Sequence, residues 1–79
     1  MRIVVRLYNE LKRHAPGIRA GGELDVPPGS TVRDVLTLLG IPPDRQAGLP
    51  LFRNGRPADL DTSLEEGDAL VAFSPMSGG

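Results

Sequence analysis

Hydrophobic and polar residues alternate along the first stretch of the chain. Between residues 2 and 8, Ile3, Val5 and Leu7 fall on one side of an extended backbone, with two arginines and Val4 on the other. A period of two is typical of a strand that buries one face. We therefore predict a first strand over residues 2–8 with these three side chains directed into the core.

The next segments are shorter and less regular. Residues 9–14 are expected to form a helical turn with Leu11 facing inward. Leu24 and Val26 then alternate with acidic residues, which predicts a second strand. Pro27-Pro28 ends this strand, because proline lacks the N–H group that a hydrogen bond to a neighbouring strand needs.

The clearest pattern of the chain predicts one amphipathic helix. Four apolar residues fall at i, i+3, i+4 and i+7 on one helical face: Val32, Val35, Leu36 and Leu39. Ser30 or Thr31 can cap this helix, and Asp34 falls in its first turn, where a carboxylate meets free N–H groups. Gly40 can supply a left-handed residue at the end, and the two prolines that follow prevent continuation.

Three further strands are predicted in the second half of the chain. The apolar run 49–53 leads into Asn54-Gly55, a pair that tolerates positive φ at both positions and favours a two-residue hairpin. Pro57 limits the returning strand to the edge of a sheet or an irregular path. Residues 69–73 form the last predicted strand, and nothing after Phe73 is expected to belong to the core.

This order of elements predicts a fold of the α+β class. One main helix packed across a small mixed sheet buries the apolar faces of both, and that arrangement is a β-grasp. We expect the β-grasp domain to span residues 1–74. Residues 75–79 are too small, polar and glycine-rich to pack, so we expect them to form a flexible C-terminal tail.

The composition adds limits on the core and on location. The 79 residues include no Cys and only three aromatic residues, so we expect one domain without disulfides or thiolate metal ligands, and a mainly aliphatic core. The N-terminal apolar run is broken by Arg6, and no run approaches the ~20 residues of a membrane span. We therefore expect a cytoplasmic protein that does not engage a membrane.

The net charge is only −1, but it is unevenly distributed. The first 20 residues carry five basic side chains and one acidic side chain, whereas only acidic charges follow Ala58: Asp59, Asp61, Glu65, Glu66 and Asp68. Such an acidic end can attract a basic partner, but a solvated loop explains these carboxylates more simply. Nucleic-acid binding is not expected, because no basic cluster is interleaved with aromatic residues.

The side chains offer little classical active-site chemistry. His14 is the only histidine, which excludes a Cys-His or multi-His metal site and leaves a Ser-His-Asp triad dependent on this one residue. It follows two basic residues, so we expect it to be exposed and without a catalytic role. The glycines match neither common phosphate-loop spacing. We expect no metal, no bound cofactor and no catalysis by the chain alone.

The remaining candidate site is the C-terminus, Gly78-Gly79. Transfer of AMP to the main-chain carboxylate of Gly79 would give an acyl-adenylate, and attack by sulfide or persulfide would lead to a thiocarboxylate. Glycine suits this chemistry, because a tail without Cβ atoms can thread a narrow channel and adopt the φ and ψ that a partner requires. A terminus without a function is the alternative interpretation of these two residues.

Five segments spread over nearly the whole chain carry a likeness to a known family. They are Val-Arg-Leu-Tyr (5–8), Pro-Gly-Ser-Thr-Val-Arg-Asp-Val-Leu (28–36), Arg-Asn-Gly (53–55), Leu-Glu-Glu-Gly-Asp (64–68) and Ser-Pro-Met-Ser-Gly-Gly (74–79). Through them the chain resembles the ThiS/MoaD family of ubiquitin-like sulfur carriers. Its ending is most similar to that of the small, sulfur-carrier subunit of molybdopterin synthase. Ser74 and Met76 depart from that subunit's usual Pro and Val, which leaves the receiving pathway open.

The resemblance implies a function for the tail. By it, an E1-like adenylating enzyme would use ATP to activate Gly79, which would become a thiocarboxylate, and Gly78 would help the tail to thread. The sulfur would then pass to the molybdopterin synthase large subunit or another acceptor enzyme, in molybdenum or tungsten cofactor biosynthesis. The alternatives are a thiazole (thiamine) sulfur carrier, a ubiquitin-like protein modifier, and a β-grasp binding module without tail chemistry.

Overall fold

A computed structural model describes residues 1–74 of the chain, which form five strands, two short α-helices and one 3₁₀ segment. In chain order these are β1 (Arg2–Tyr8), the 3₁₀ segment (Asn9–Gly17), β2 (Glu23–Asp25), α1 (Val32–Leu38), α2 (Pro43–Gln46), β3 (Leu51–Arg53), β4 (Arg56–Ala58) and β5 (Ala69–Phe73). The flexible tail predicted for residues 75–79 lies outside the described residues. No helix within residues 1–74 is long and apolar enough to cross a bilayer.

The five strands form one mixed sheet in the order β2-β1-β5-β3-β4. The central strand β5 runs parallel to β1 and antiparallel to β3, while β2 and β4 lie antiparallel at the two edges. The inner face of this sheet and helix α1 contribute to one apolar core. The predicted α+β architecture, with one main helix against a small mixed sheet, is confirmed.

The core of the described chain is aliphatic. Its fully buried side chains include residues from β1, from α1 and from the central strand: Ile3, Val5, Val32, Val35, Leu36 and Leu70. Leu11 and Leu64, which lie in the segments that connect these elements, are also buried in the core. The expectation that aliphatic side chains supply most of the buried area is confirmed, since the buried hydrophobic residues within 1–74 include no aromatic residue.

Helix α1 begins and ends where the sequence predicts. The backbone N–H of Asp34 donates to Thr31 Oγ1 at 3.2 Å, and the Thr31 N–H donates to Asp34 Oδ2 at 2.9 Å. This reciprocal pair is a capping box, which satisfies two N–H groups that the first helical turn leaves without partners. At the other end Gly40 has φ +85°, the left-handed conformation that glycine adopts without steric cost.

The hairpin between β3 and β4 also matches the prediction. Asn54 has φ 51° and Gly55 has φ 81°, as a two-residue turn with positive φ at both positions requires. Pro57 lies on β4, which is an edge strand, so its missing N–H group leaves no gap inside the sheet.

Three features differ from the predicted elements. Strand β2 ends at Asp25, and Val26 is buried just beyond it, where its N–H donates to Met1 O. The 3₁₀ segment continues through Pro16 instead of ending near His14. Helix α2 is not among the predicted elements, because two consecutive prolines after Ile41 indicate the end of a helix. The second of them occupies the first turn of α2, a position where proline's fixed φ suits a helix.

Candidate functional site: the base of the C-terminal tail

The two predicted site residues, Gly78 and Gly79, lie outside the described residues. The structure describes the domain up to Ser74, which follows the central strand β5 and is the point from which the last five residues continue. The surfaces around Ser74 are therefore the described surfaces next to the start of the C-terminal segment.

Ser74 is fixed to the domain by two hydrogen bonds from the start of the 3₁₀ segment. Asn9 Nδ2 donates to the Ser74 carbonyl oxygen at 2.9 Å, and the Glu10 N–H donates to Ser74 Oγ at 2.8 Å. Asn9 adopts a left-handed φ of 59°, which asparagine tolerates better than most residues. Ser74 is buried, but it is a polar residue outside the apolar core, whose last member along the chain is Ala72.

The outer face of the sheet next to Ser74 carries all three aromatic residues of the chain. Tyr8 and Phe73 are stacked with ring centroids 4.9 Å apart, and Phe52 meets Phe73 edge-on at 6.0 Å. Tyr8 is 40% exposed. Together with the half-buried Val4 and Val71, these residues form what we call the aromatic face, which is opposite the aliphatic core.

The aromatic face is not predicted by the pattern of the sequence. Alternation along β1 places Tyr8 on the side opposite Leu7, so the sequence of this strand does indicate that Tyr8 lies on the outer face of the sheet. Strand β5 is apolar at every position, which hides the direction of Phe73. The pairing of Tyr8 with Phe73 across parallel strands is a tertiary contact that local patterns do not contain.

A cavity of about 470 Å³ lies on another side of Ser74. We call it the tail-base cavity. Its walls come from the 3₁₀ segment, from the connection between α1 and α2, and from Ser74 itself, and the lining includes Glu10, Arg13, His14, Ile41, Arg45 and Ser74. The cavity therefore combines apolar side chains with a rim that carries more basic than acidic groups.

His14 lines this cavity and is half-buried, which corrects the prediction that it is exposed. Its Nδ1 lies 3.1 Å from the carbonyl oxygen of Leu39. A carbonyl can only accept, so Nδ1 must carry the hydrogen in this contact. The imidazole thereby connects the 3₁₀ segment to the end of α1, a structural role. Within residues 1–74 no group of three or more potential metal-ligating side chains is close enough to hold an ion.

The acidic end of the chain is not a freely solvated loop. Asp68 is 6% exposed and accepts hydrogen bonds from Arg53 Nε at 2.7 Å, from Asn54 Nδ2 at 2.9 Å and from the Glu65 N–H at 2.7 Å. Burial alone raises the pKa of this carboxyl, but these three donors and the Arg53 charge outweigh it, and the pKa lies below its ordinary value. The simple solvated-loop interpretation is therefore wrong for Asp68.

Three further carboxylates of the same segment are also engaged within the domain. Asp61 pairs with Arg33, and Glu66 accepts the backbone N–H of Arg2 at 3.0 Å. Glu65 pairs with the same arginine that holds Asp68. Three of the five acidic side chains after Ala58 are thus ion-paired with two arginines inside residues 1–74, so the charge that this segment presents is smaller than the sequence count.

Solved structures from archaea and bacteria share this architecture. Small archaeal modifier protein 1 from Haloferax volcanii is 25% identical, with a TM-score of 0.68 over 95% of this chain and 98% of that chain. A putative molybdopterin converting factor subunit 1 from Pyrococcus furiosus is 20% identical, with a TM-score of 0.69 over 96% and 99%. A complex of subunits 1 and 2 of molybdopterin-converting factor from Helicobacter pylori contains a chain 18% identical, with a TM-score of 0.59 over 100% of both. The predicted ubiquitin-like β-grasp fold is confirmed.

The family assignment rests on the sequence as well as on the fold. No curated protein matches the chain significantly. The model of the ThiS family matches residues 5–79, which is nearly the full length and includes the terminal Gly-Gly. The chain therefore belongs to the ThiS family of small ubiquitin-like proteins.

Proposed function

We propose that the chain is a sulfur carrier whose C-terminal glycine is the working group. In the first step a carboxylate oxygen of Gly79 attacks the α-phosphorus of ATP, and pyrophosphate leaves. In the second step hydrosulfide attacks the resulting carbonyl carbon, AMP leaves, and a thiocarboxylate remains. The partner enzymes supply ATP binding and catalysis, and the chain supplies the carboxylate and the surface by which it is recognised.

The observation that carries this proposal is the extent of the family match. It continues through residue 79 and so includes the glycines that the chemistry needs. The fixed position of Ser74 adds support, because the tail that carries the carboxylate then begins at a defined point on the domain. Five residues can extend by at most about 17 Å at ~3.3 Å per residue. An enzyme that holds Gly79 is therefore within about 17 Å of Ser74, close enough for its surface to extend to the domain there.

The aromatic face is the surface we assign to the E1-like adenylating enzyme. Stacked aromatic side chains at a protein surface supply large contact area with little loss of side-chain entropy on binding. Tyr8 and Phe73 lie directly beside the tail base and are suited to this purpose. ATP is bound by the enzyme and not by the carrier.

We assign the sulfur most readily to molybdopterin biosynthesis, with delivery to the large subunit of molybdopterin synthase. Support comes from the ending Ser-Pro-Met-Ser-Gly-Gly and from the likeness to solved molybdopterin converting factor subunits. A thiazole-forming acceptor is the alternative within the same chemistry. Incubation of the thiocarboxylated chain with each acceptor enzyme and its substrate distinguishes them, because only the true acceptor returns the chain to the carboxylate form.

A second candidate function is protein modification, in which activated Gly79 forms an isopeptide bond with a lysine. It is favoured by the likeness to small archaeal modifier protein 1. A binding module without tail chemistry is the third reading. Intact-mass measurement after incubation with the adenylating enzyme, ATP and sulfide separates the three. Replacement of one oxygen by sulfur marks the carrier, a lysine conjugate marks the modifier, and an unchanged mass marks the module.

The central test removes or covers the carboxylate of Gly79. Deletion of Gly79, or extension of the chain beyond it, is expected to abolish adenylation and sulfur loading without changing the unfolding midpoint. Gly78→Val is expected to weaken activation, because a β-branched side chain widens the tail and restricts its backbone. Arg56→Ala, at an exposed position on edge strand β4 and away from the tail, is expected to leave the loading rate unchanged and serves as the control. An extended chain that still became thiocarboxylated would refute the proposal.

A further inference from the structure

Five of the nine basic side chains form no ion pair within residues 1–74: Arg6, Lys12, Arg13, Arg45 and Arg56. Two of these, Arg13 and Arg45, are exposed at the tail-base cavity, and they reach it from different elements. Glu10 is the one acidic side chain in the lining. The charge that the domain presents beside Ser74 is therefore net positive.

The basic side chains at the cavity differ from the arginines elsewhere in the domain that form ion pairs. Arg53 pairs with Glu65 and Asp68, and Arg33 on helix α1 pairs with Asp61. Arg13 and Arg45 have no such internal partner within the described chain, although both lie near the start of the tail. A partner of opposite charge can thus pair with them without first displacing an existing ion pair.

The cavity also offers apolar contacts below its charged rim. Ile41 is buried at its wall and Leu49 is half-buried. A volume of about 470 Å³ accommodates several side chains and is within the range of ordinary binding pockets. Apolar walls below a basic rim fit a short peptide segment that carries an apolar residue next to a carboxylate. A basic segment would be repelled by the arginines, and a purely polar segment would make no apolar contact with the walls.

We infer that the tail-base cavity receives an acidic segment of the adenylating enzyme, with an Asp or Glu that pairs with Arg13 and Arg45 and an apolar neighbour against Ile41. This inference rests on the proposed function, since it assumes that the enzyme acts on Gly79. Because five residues span at most about 17 Å, the enzyme that holds Gly79 lies within that distance of Ser74 and can reach this rim. Opposite charges there speed the encounter and fix the orientation of the carrier domain.

The test measures ATP–pyrophosphate exchange by the adenylating enzyme as a function of carrier concentration. Arg45→Glu is compared with Arg56→Glu, a matched change at an exposed arginine on edge strand β4 that also lacks an ion pair within residues 1–74. The Arg13→Glu and Arg45→Glu double variant is added, together with its Gln counterpart. Unfolding midpoints confirm that each variant is folded.

The double charge reversal is expected to raise KM by about tenfold or more and to change kcat by no more than about twofold, because it disturbs docking and not the reacting carboxylate. Arg56→Glu is expected to leave KM within about twofold of the wild type. Raising the NaCl concentration from about 50 to 300 mM should increase the wild-type KM and affect the double Gln variant less.

Failure of this inference is distinguishable from failure of the proposed function. If the wild type supports exchange but the cavity variants keep its KM, or if Arg56→Glu raises KM equally, the cavity is not the docking site. If the wild type supports no exchange, the proposed function itself is refuted. A second occupant, the chain's own C-terminal carboxylate, is tested by NMR of the free protein. If amidation of the C-terminus, which removes that carboxylate, shifts the Arg13 and Arg45 side-chain resonances, the assignment to the enzyme is overturned.

Discussion

Truncation of Leu36 tests whether helix α1 and the sheet form one core. The Leu36 side chain is 0% exposed and belongs to the same apolar cluster as Ile3 on β1 and Leu70 on β5. Leu→Ala removes the transfer free energy of the lost methyl and methylene groups and leaves a cavity, which together cost about 2–5 kcal/mol. Native domains are stable by only about 5–15 kcal/mol, so Leu36→Ala removes a large share of the total.

The same helix supplies a matched control. Leu38 lies two residues from Leu36 but is 58% exposed, so Leu38→Ala makes the same chemical change without opening a cavity in the core. We expect Leu38→Ala to change the free energy of unfolding by no more than about 0.5 kcal/mol. Because alanine favours helices at least as well as leucine, helix propensity does not distinguish the two variants.

The assay is urea unfolding followed by circular dichroism, with a thermal scan beside it. At about 4–8 °C per kcal/mol for a domain of this size, Leu36→Ala should lower Tm by about 10 °C or more. Equal urea midpoints for Leu36→Ala and Leu38→Ala would show that α1 does not pack on the sheet, and the fold described here would be wrong.

Three further predictions concern the helix cap, the buried carboxylate and the aromatic face. Thr31→Ala removes the acceptor for the Asp34 N–H and should lower the free energy of unfolding by about 1 kcal/mol, measured by urea titration. Asp68→Asn removes the charge that holds Arg53, and we expect a loss of about 1–3 kcal/mol at neutral pH. Because the pKa of Asp68 is lowered by folding, its contribution is complete above the ordinary value and is lost as the pH falls through the folded-state pKa. The wild type should therefore lose more stability than Asp68→Asn on acidification below about pH 4, and parallel losses would contradict this assignment. Tyr8→Ser should weaken binding of the adenylating enzyme in a titration. Loss of its stacking on Phe73 should lower the free energy of unfolding by only about 0.5–1.5 kcal/mol, less than Leu36→Ala, since this ring is outside the core.

The elements that the sequence predicts well are those whose determinants are local. The stripe that contains Leu36, the capping box of Thr31 and Asp34, and the positive φ of Asn54 and Gly55 each depend on residues within a few positions of one another. Patterns of this length are visible in a linear sequence, and the structure confirms all three. Helix α2 is as local but was missed, because proline both ends one helix and begins the next.

The features that the sequence does not predict are those made by distant segments. Arg53 and Asp68 are 15 residues apart, and their pairing converts a residue expected in a solvated turn into a buried one. Counting charges along the chain cannot find this pair, because it depends on how β3 and β5 lie in the sheet. The tail-base cavity likewise draws its basic side chains from two elements that only the fold brings together.

The parallel pairing of β1 with β5 explains why the aromatic face, the tail base and the cavity lie together. Parallel strands end at the same edge of a sheet, and the register places Tyr8 opposite Phe73. The residues that directly follow the two strands also lie side by side, since the Asn9 side chain donates a hydrogen bond to the carbonyl oxygen of Ser74. The 3₁₀ segment that follows Asn9 then carries Arg13 to the cavity. One strand pairing therefore positions both surfaces that we assign to the adenylating enzyme, while the opposite face of the same strands remains aliphatic and stabilises the fold.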